Sequence, residues 1–581
     1  MLNSENNFLK VCCILLLMAI LEQASAQDVL LKEEEDGWIP GMLQTKNSAY
    51  FQLLQFNGYG IGWKYRGFEN SSTLTINGIE WNSKKLGVDL NAAMFGIHTL
   101  SRTEKITTGF VPTENGLAAS PVMRYVNMNA SDFSKNITIS NRFQPLTGSF
   151  QTNFIWSTGR LKKSWYAQLK LQHEQSFIQN PALGKRALKG FVFNMHKSFT
   201  KHQYLNINFW YNHRYQTKQS PSVKEVLKLS ENELYQPGWG WLDGEMVFPN
   251  AKTSNLPIVQ VQYSRKINER HRFQVNWALV KGIQSVDGLD WTSVKDPRPD
   301  YYKYLPSYYQ DSALRALMHD NLLQNPGKGQ IDWMGLYSLN ALSNEPVIMG
   351  SNPNLILQKR AAVIVENRID KQQTIAASMV YHSPIGKAGL LHAGINAQLE
   401  QHHFYKKVHD LLGAHYYVNI NQFAEDALQI RTDVNQFDIE NPNQIILQNQ
   451  NFGYNYKALL MQTAAYLQSS WAFARFDIFA GVQFTGNSFK RVGLVKNGLF
   501  PLQSKGTSYT YHFTSPEAKL GVTYKLNGRH YFSVELLSAA RAPLFDNVFV
   551  APKMRSTVTD HISSEKISSV LLGYQYQQQI E

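Results

Sequence analysis

QYLNINFWYN, residues 203–212, decides the fold class. In it Leu205, Ile207, Phe209 and Tyr211 alternate with Asn206, Asn208 and Asn212. Successive side chains on an extended strand point to opposite faces, so a period of two gives one apolar face and one polar face. The pattern recurs from about Asn136 onward. In KSWYAQLKLQ, residues 163–172, Trp165, Ala167, Leu169 and Leu171 alternate with Tyr166, Gln168, Lys170 and Gln172. In HRFQVNWAL, residues 271–279, Phe273, Val275, Trp277 and Leu279 alternate with Arg272, Gln274 and Asn276. Phe532, Val534 and Leu536 alternate with Ser533 and Glu535.

A soluble sandwich would alternate in the same way, and three further features separate the two cases. The strands are about nine to twelve residues long, which is what a tilted strand needs to cross a bilayer. Aromatic residues make up 12% of the chain and gather near strand ends (Trp156, Trp165, Tyr215, Tyr263, Trp471, Tyr524), as an interfacial girdle requires. Connections alternate in length. Short turns are expected at Lys197–Gln203, Lys266–Arg270, Ala472–Arg475 and a two-residue Asn527-Gly528 hairpin. Long connections are expected at Glu174–Arg186, Thr217–Pro257, Gly282–Lys359, Lys406–Ala458, Phe489–Tyr511 and Arg541–Lys566. Short inner turns and long outer loops are the habit of outer-membrane barrels. The alternation breaks once, where Asp370–Gln373 and Ser383–Lys387 both read as short turns in succession. An additional strand within Gly282–Lys359 would repair it. The expected fold is mainly β: a transmembrane antiparallel barrel of about 15–16 strands over residues 134–581.

The N-terminus reads as an export signal. Lys10 is followed by the apolar run Val11–Leu21 and then by Ala24-Ser25-Ala26 ahead of Gln27. The run is too short to span a bilayer and ends in a small-x-small cleavage site, so residues 1–26 are expected to be removed. Cys12 and Cys13 lie inside it, which leaves the mature chain without cysteine. The formal charge of +13 is scattered, often in short turns such as Arg160-Leu161-Lys162-Lys163, with no basic run interleaved with aromatics. Nucleic acid is therefore not expected as a partner. Residues 27–35 read as a linker, with the acidic run Glu33-Glu34-Glu35-Asp36 solvated. Residues 36–133 have shorter apolar runs and more glycine, and read as a compact α+β domain of about a hundred residues.

Within that domain lies GIGWKYRGFENSSTLTINGIEWN, residues 60–82. It carries Arg66-Gly67-Phe68, then Ile76-Asn77-Gly78-Ile79. Asn-Gly supplies the positive φ values of a tight turn between strands, and Gly67 lets one strand pass close to its neighbour. This arrangement resembles the plug of TonB-dependent outer-membrane receptors, in particular those of Bacteroidota. Four later segments extend the resemblance in the family's order. They are DPRPDYYKYLPSYY (296–309), QIDWMGLYSLN (330–340), HDLLGAHYYVNINQFAED (409–426), and the pair SAARAPLFDNVFVAP with SEKISSVLLGYQYQ.

The resemblance implies a plug over residues 36–133, held inside the barrel so that polar surface meets polar wall. It also implies the outer membrane as location, and a periplasmic TonB-type protein as partner. Asp28-Val29-Leu30-Leu31 resembles a TonB box, which adds a strand to that partner by β-augmentation; the alternative is a plain leader into the plug. Two departures stand out. The family's plug glycine pair is replaced by Gly116-Leu117-Ala118-Ala119-Ser120, and the chain ends at Gln579-Ile580-Glu581 without a terminal aromatic residue. On that ground the barrel is expected to be C-terminally incomplete.

No GxxxxGK[ST], HExxH or GxSxG pattern occurs, so neither a catalytic site nor a cofactor is expected. His402 and His403, with Glu400 and His409 nearby, invite a metal site, but adjacent residues of a strand face opposite ways and are expected to be separate polar residues near the loops. Tyr301, Tyr302, Tyr304, Tyr308 and Tyr309 form either an aromatic platform for a glycan or other flat ligand, or loop packing. The functional expectation is an outer-membrane receptor that imports a scarce solute. The alternative is a non-transporting surface barrel acting as an adhesin or scaffold.

Overall fold

The computed structural model describes residues 72–81, 103–110, 113, 116–117, 122–144, 148–176 and 184–577, except 219, 231–234, 269–270, 292–293, 325–328, 346, 349–355, 358, 422–423 and 425–432. The expected export signal at residues 1–26, Asp28–Leu31, Arg66 and Gly67 lie outside the described residues.

A small four-stranded sheet comes first. It comprises β1 (Ser72–Ile76), β2 (Ile79–Glu80), β3 (Thr103–Thr108) and β4 (Val122–Asn127), in the order β2-β1-β4-β3. β1 and β4 are parallel, and the other pairs are antiparallel. Asn77 and Gly78 fold β2 back on β1 with φ values of 43° and 84°. Both lie in the left-handed region that asparagine tolerates and glycine favours.

Sixteen strands then form one antiparallel sheet. Its first strands are β5 (Asn136–Gln144), β6 (Ser149–Ser157), β7 (Trp165–Ser176), β8 (Arg186–Thr200) and β9 (Gln203–Thr217). A two-stranded ribbon follows, β10 (Gly240–Leu242) with β11 (Glu245–Val247). β12 (Ala251–Asn255) and β13 (Ile258–Lys266) both lie between β9 and β14 (Arg272–Trp291), so they are two halves of one wall strand. The break at Leu256-Pro257 brings backbone close to Gly282, where a Cβ would stand 2.9 Å from Leu256 Cα. Outside the wall lie the ribbons β15 (Val347–Ile348) with β16 (Ile356–Leu357), and β19 (Tyr417–Val418) with β20 (Ile445–Ile446). The wall continues as β17 (Val363–Ile385), β18 (Gly389–Asp410), β21 (Asn451–Ala472) and β22 (Phe476–Gly493), the last capped by β23 (Gly506–Thr507). It ends with β24 (Tyr511–Lys525), β25 (His530–Arg541) and β26 (Glu565–Tyr576). Helices α1 (Lys224–Leu229), α2 (Ser312–Gln324), α3 (Trp333–Leu342) and α4 (Phe545–Val548) all sit in long connections. No helix among the described residues is long and apolar enough to cross a membrane.

The polar and apolar faces are inverted relative to a soluble protein. Gln168, Asn194, Asn208, Gln260 and Asn276 are buried, while Ile139, Trp277, Ile395, Leu399, Phe484, Val534 and Leu572 are exposed. A sandwich would bury the second set; an apolar exterior this extensive requires lipid. Trp156, Trp165 and Phe476 stand exposed at the short-turn end, where Phe476 also packs on Tyr524 at 5.1 Å.

Three expectations are corrected. Asp370–Gln373 is not a turn, because β17 runs unbroken through it for 23 residues. The apparent break in alternation disappears, and the described residues of Gly282–Lys359 supply no additional wall strand: the first part extends β14 and the rest holds loop elements. Strands are also longer than expected, reaching 22 and 23 residues in β18, β21 and β17. Such lengths exceed what the hydrocarbon core needs, so these strands project beyond the membrane and carry polar residues there. Finally, Asn527-Gly528 is not a two-residue turn. The chain turns over 526–529, with Asn527 Oδ1 accepting from the backbone N–H groups of Arg529 and His530 at 2.9 and 3.0 Å.

Candidate functional site

The inner face of the wall is a set of cross-strand rows. One row pairs Ser157, Gln168, Asn194, Asn208, Gln260, Ala278 and Ala376 on successive strands from β6 to β17. Its amides link laterally. Gln168 Nε2 donates to Ser157 Oγ (3.1 Å), Asn194 Nδ2 to Gln168 Oε1 (3.1 Å) and Asn208 Nδ2 to Asn194 Oδ1 (2.9 Å). Amides suit this wall because each both donates and accepts, so a buried row satisfies itself and still offers groups inward.

The small sheet is seated on this row through Asn77. Its Nδ2 donates to Asn208 Oδ1 at 2.9 Å, and its Oδ1 accepts from the Met128 N–H at 2.7 Å. Asn208 Nδ2 also donates to Met128 O at 2.8 Å. Gln260 Nε2 donates to Ile76 O (2.7 Å) and Ser378 Oγ to Gly78 O (2.8 Å). Around this polar hub Leu74, Ile76, Ile79, Trp81, Val126 and Met128 pack on Val192, Trp210, Leu256, Ile258 and Val280 of the wall. The expectation of polar surface against polar wall is thus corrected. The hairpin tip is polar, but an apolar patch surrounds it, because Trp210 and its neighbours take positions on the otherwise polar face.

Strands β21, β22, β24 and β25 hold a second set of contacts, to the chain between β3 and β4. Glu535 Oε2 accepts from Phe110 N–H at 2.6 Å, and Gln468 Nε2 donates to Thr113 O at 2.6 Å. Gln483 Oε1 accepts from Leu117 N–H at 2.9 Å, and Lys519 Nζ donates to Leu117 O at 3.0 Å. Gly116 has a φ of 122°, open to glycine alone, and a Cβ there would stand 3.3 Å from Gln483 Oε1. Part of the plug turn expected to be altered therefore still uses a glycine at Gly116; Ala118–Ser120 lie outside the described residues.

At the long-connection end the histidines part as strand geometry requires. His402 is buried between Asp370 (Nδ1 to Oδ1, 2.9 Å) and Glu400 (Nε2 to Oε2, 3.3 Å), whereas His403 faces outward to Asn455 Oδ1 at 2.7 Å. His409 joins Asp287 at 3.1 Å. Among the described residues no group of three or more His, Cys, Asp or Glu side chains is arranged to hold a metal.

The five tyrosines come together on two short 3-10 turns, Tyr302–Tyr304 and Pro306–Tyr308. Tyr301 meets Tyr302 and Tyr304 edge to face at 4.7 and 5.5 Å, Tyr302 meets Tyr308 at 5.5 Å, and Tyr308 meets Tyr309 at 5.5 Å. Their roles divide. Tyr304 and Tyr309 spend their hydroxyls on Asp296 O (2.8 Å) and Lys303 O (3.1 Å), while Tyr302 and Tyr308 remain 54% and 49% exposed. The base of this loop is a fork between Arg298 and Asp296, Nε to Oδ1 at 2.9 Å, which raises the Arg298 pKa. Burial raises that of Asp300.

Sequence reading missed the cations Arg186, Lys252, Arg368 and Lys406, which the register gathers at one height of the inner wall. The available signal was that each lies near the long-connection end of its strand.

No protein-family model matches the sequence, nor does any curated protein. Solved structures do match. The copper transporter OprC superposes with a TM-score of 0.53 at 9% identity, covering 88% of this chain and 62% of its own. The siderophore receptor PiuA from Acinetobacter baumannii gives 0.52 at 11% identity, covering 88% and 63%. The ferric citrate transporter FecA gives 0.51 at 9% identity, covering 89% and 61%. The chain thus spans about three fifths of the length of each. At these identities the likeness is one of fold, and this chain has the fold of the outer-membrane receptors that its sequence resembles.

Proposed function

We propose that the chain is a TonB-dependent outer-membrane receptor of the Bacteroidota type that imports a scarce solute. Residues 36–133 are its plug and residues 134 onward its barrel, embedded in outer-membrane lipid. Residues 1–26 direct export. Asp28–Leu31 pairs with a TonB-type protein in the periplasm, and pulling on it opens a path past the plug. No bond is made or broken by the protein itself. One observation carries this reading: the backbone of the small sheet's hairpin and of the segment at Leu117 is held by side-chain hydrogen bonds from wall strands far apart in the sheet, β13 and β17 for the first, β22 and β24 for the second. Such contacts are numerous but individually worth only about 1 kcal/mol, so they hold a closure that can be released stepwise.

Deletion of Gln27–Leu31 tests it. Uptake of a panel of ferric siderophores, cobalamin and oligosaccharides is compared in TonB-positive and TonB-negative cells. The reading requires one solute whose uptake needs both TonB and the segment, with surface binding retained. Uptake indifferent to both would instead favour a passive surface barrel.

A further inference from the structure

One row of the inner wall gathers four cations. Cross-strand register places Arg186 beside Gln216, Gln216 beside Lys252, Lys252 beside Val286, Val286 beside Arg368 and Arg368 beside Lys406. These positions share the face of Asn208, Trp210 and Val280, and lie above the contacts with the small sheet, toward the long connections. Arg214 stands one inner position below Gln216, and Lys218 one above it at the rim. Arg368 and Lys406, laterally paired, repel unless something neutralises them, whereas Gln216 and Val286 space the other cations apart.

Within the row neutralisation is incomplete. Glu174 is taken by Arg186 at 3.1 Å. Glu366 sits between Lys406 (2.5 Å) and Arg368 (3.3 Å), and Asp290 also pairs with Lys406 at 3.0 Å. Asp370 is committed to His402. Lys252 feels the charges of Lys218 and Arg214 against that of Asp370, and Lys218 feels that of Arg368, yet among the described residues neither lysine has a direct ion-pair partner.

A second, independent feature lies at the same place. Gly288, on the inner face of β14, has no side chain, which lets the Arg368 guanidinium and the Asn250 side chain close in on its backbone. A Cβ there would stand 3.1 Å from Arg368 Nη2 and 3.4 Å from Asn250 Oδ1. The backbone N–H of Lys218 bonds Asn250 O at 2.8 Å, which ties the lysine's backbone to the residue beside Arg368.

We propose that Lys218, Lys252 and Arg368, the last drawn in beside Asn250 at Gly288, form an anion-binding belt at the lumen mouth that receives a solute bearing phosphate or carboxylate groups. Cations lining a low-dielectric cleft raise the local concentration of anions and hold an oxyanion by charge-assisted hydrogen bonds. The belt deepens the receptor reading, on which it rests, by giving the solute its charge.

The test uses the full chain in detergent, with inorganic pyrophosphate and spermidine as probes in calorimetric titrations at low and high salt. Pyrophosphate is expected to bind, more weakly at high salt, and spermidine not to. The double variant Lys218→Gln/Lys252→Gln should weaken pyrophosphate binding about tenfold or more, with Lys218→Arg/Lys252→Arg restoring it. Gly288→Leu, which removes no charge, should weaken it too by displacing the Arg368 guanidinium from its place beside the backbone; this variant decides the matter if the lysine variants do not fold. Absence of pyrophosphate binding, equal binding by the glutamine variant, or preference for spermidine would overturn the proposal. These titrations need no TonB, so their failure leaves the uptake experiment untouched, and a failed uptake experiment leaves the belt standing.

Discussion

Trp81 and Trp210 meet edge to face, with ring centroids 5.8 Å apart and planes at 66°. One follows the Asn77-Gly78 hairpin, the other lies on the inner face of β9, and both are buried. This contact centres the apolar patch by which the small sheet grips the wall. Neither indole N–H has a hydrogen-bond partner among the described residues.

That pairing separates two substitutions. Trp81→Ala leaves a cavity and should weaken seating of the small sheet by about 3–5 kcal/mol. Trp81→Phe keeps the aromatic contact and removes an unsatisfied donor, so its cost should be about 1 kcal/mol or less. Protease cleavage within residues 72–133 of the otherwise intact protein reads the difference. Equal cleavage in both variants would show that the patch does not hold the sheet.

Two glycines of positive φ isolate docking from backbone strain. Gly78 (φ 84°) faces Asn276 and Gln274, whereas Gly386 (φ 61°) in an inner turn faces open space. An alanine at either position costs about 1–2 kcal/mol in backbone conformation. Only Gly78→Ala also pushes against the wall, and only it should expose the small sheet to protease.

Asn340 ties the outer elements together. Its Nδ2 donates to Val363 O and Leu411 O at 2.8 and 2.9 Å, and its Oδ1 accepts from the N–H groups of Ala362 and Val363 at 2.9 and 3.1 Å. Asn340→Leu orphans these backbone groups, at about 1–3 kcal/mol for each left unsatisfied. Hydrogen exchange should quicken across Trp333–Leu342 and at 362–363, while the distant β5–β7 stays protected.

The tyrosine loop should loosen as pH rises. Burial raises the Asp300 pKa, so between the ordinary value of 3.8 and its raised value the folded loop holds a proton that the unfolded loop has lost. Stability then falls with rising pH across that window and stays lower above it. Asp300→Asn abolishes this dependence. The ratio of wild-type to Asp300→Asn proteolysis rates in residues 296–309 should therefore be near one in strong acid and rise toward neutrality. A flat ratio would contradict it.

The two-residue alternation at 203–212 was enough to assign each side chain of β9 to a face, because that period is a local property of extended backbone. It fixed the barrel-like wall and the division of His402 from His403. Turn composition was less reliable. Asp370–Gln373 looks like a turn because its residues are polar, but backbone pairing with β14 and β18 carries the strand through it. Which residues become neighbours across strands was not legible at all. Arg186, Lys252, Arg368 and Lys406 are far apart in the chain, and a one-residue slip in any ladder would turn that strand's cation to the opposite face. The same holds for Asn77 and Asn208, separated by 131 residues. Local sequence sets the face of a strand; register, fixed by long-range pairing and burial, sets the company each side chain keeps.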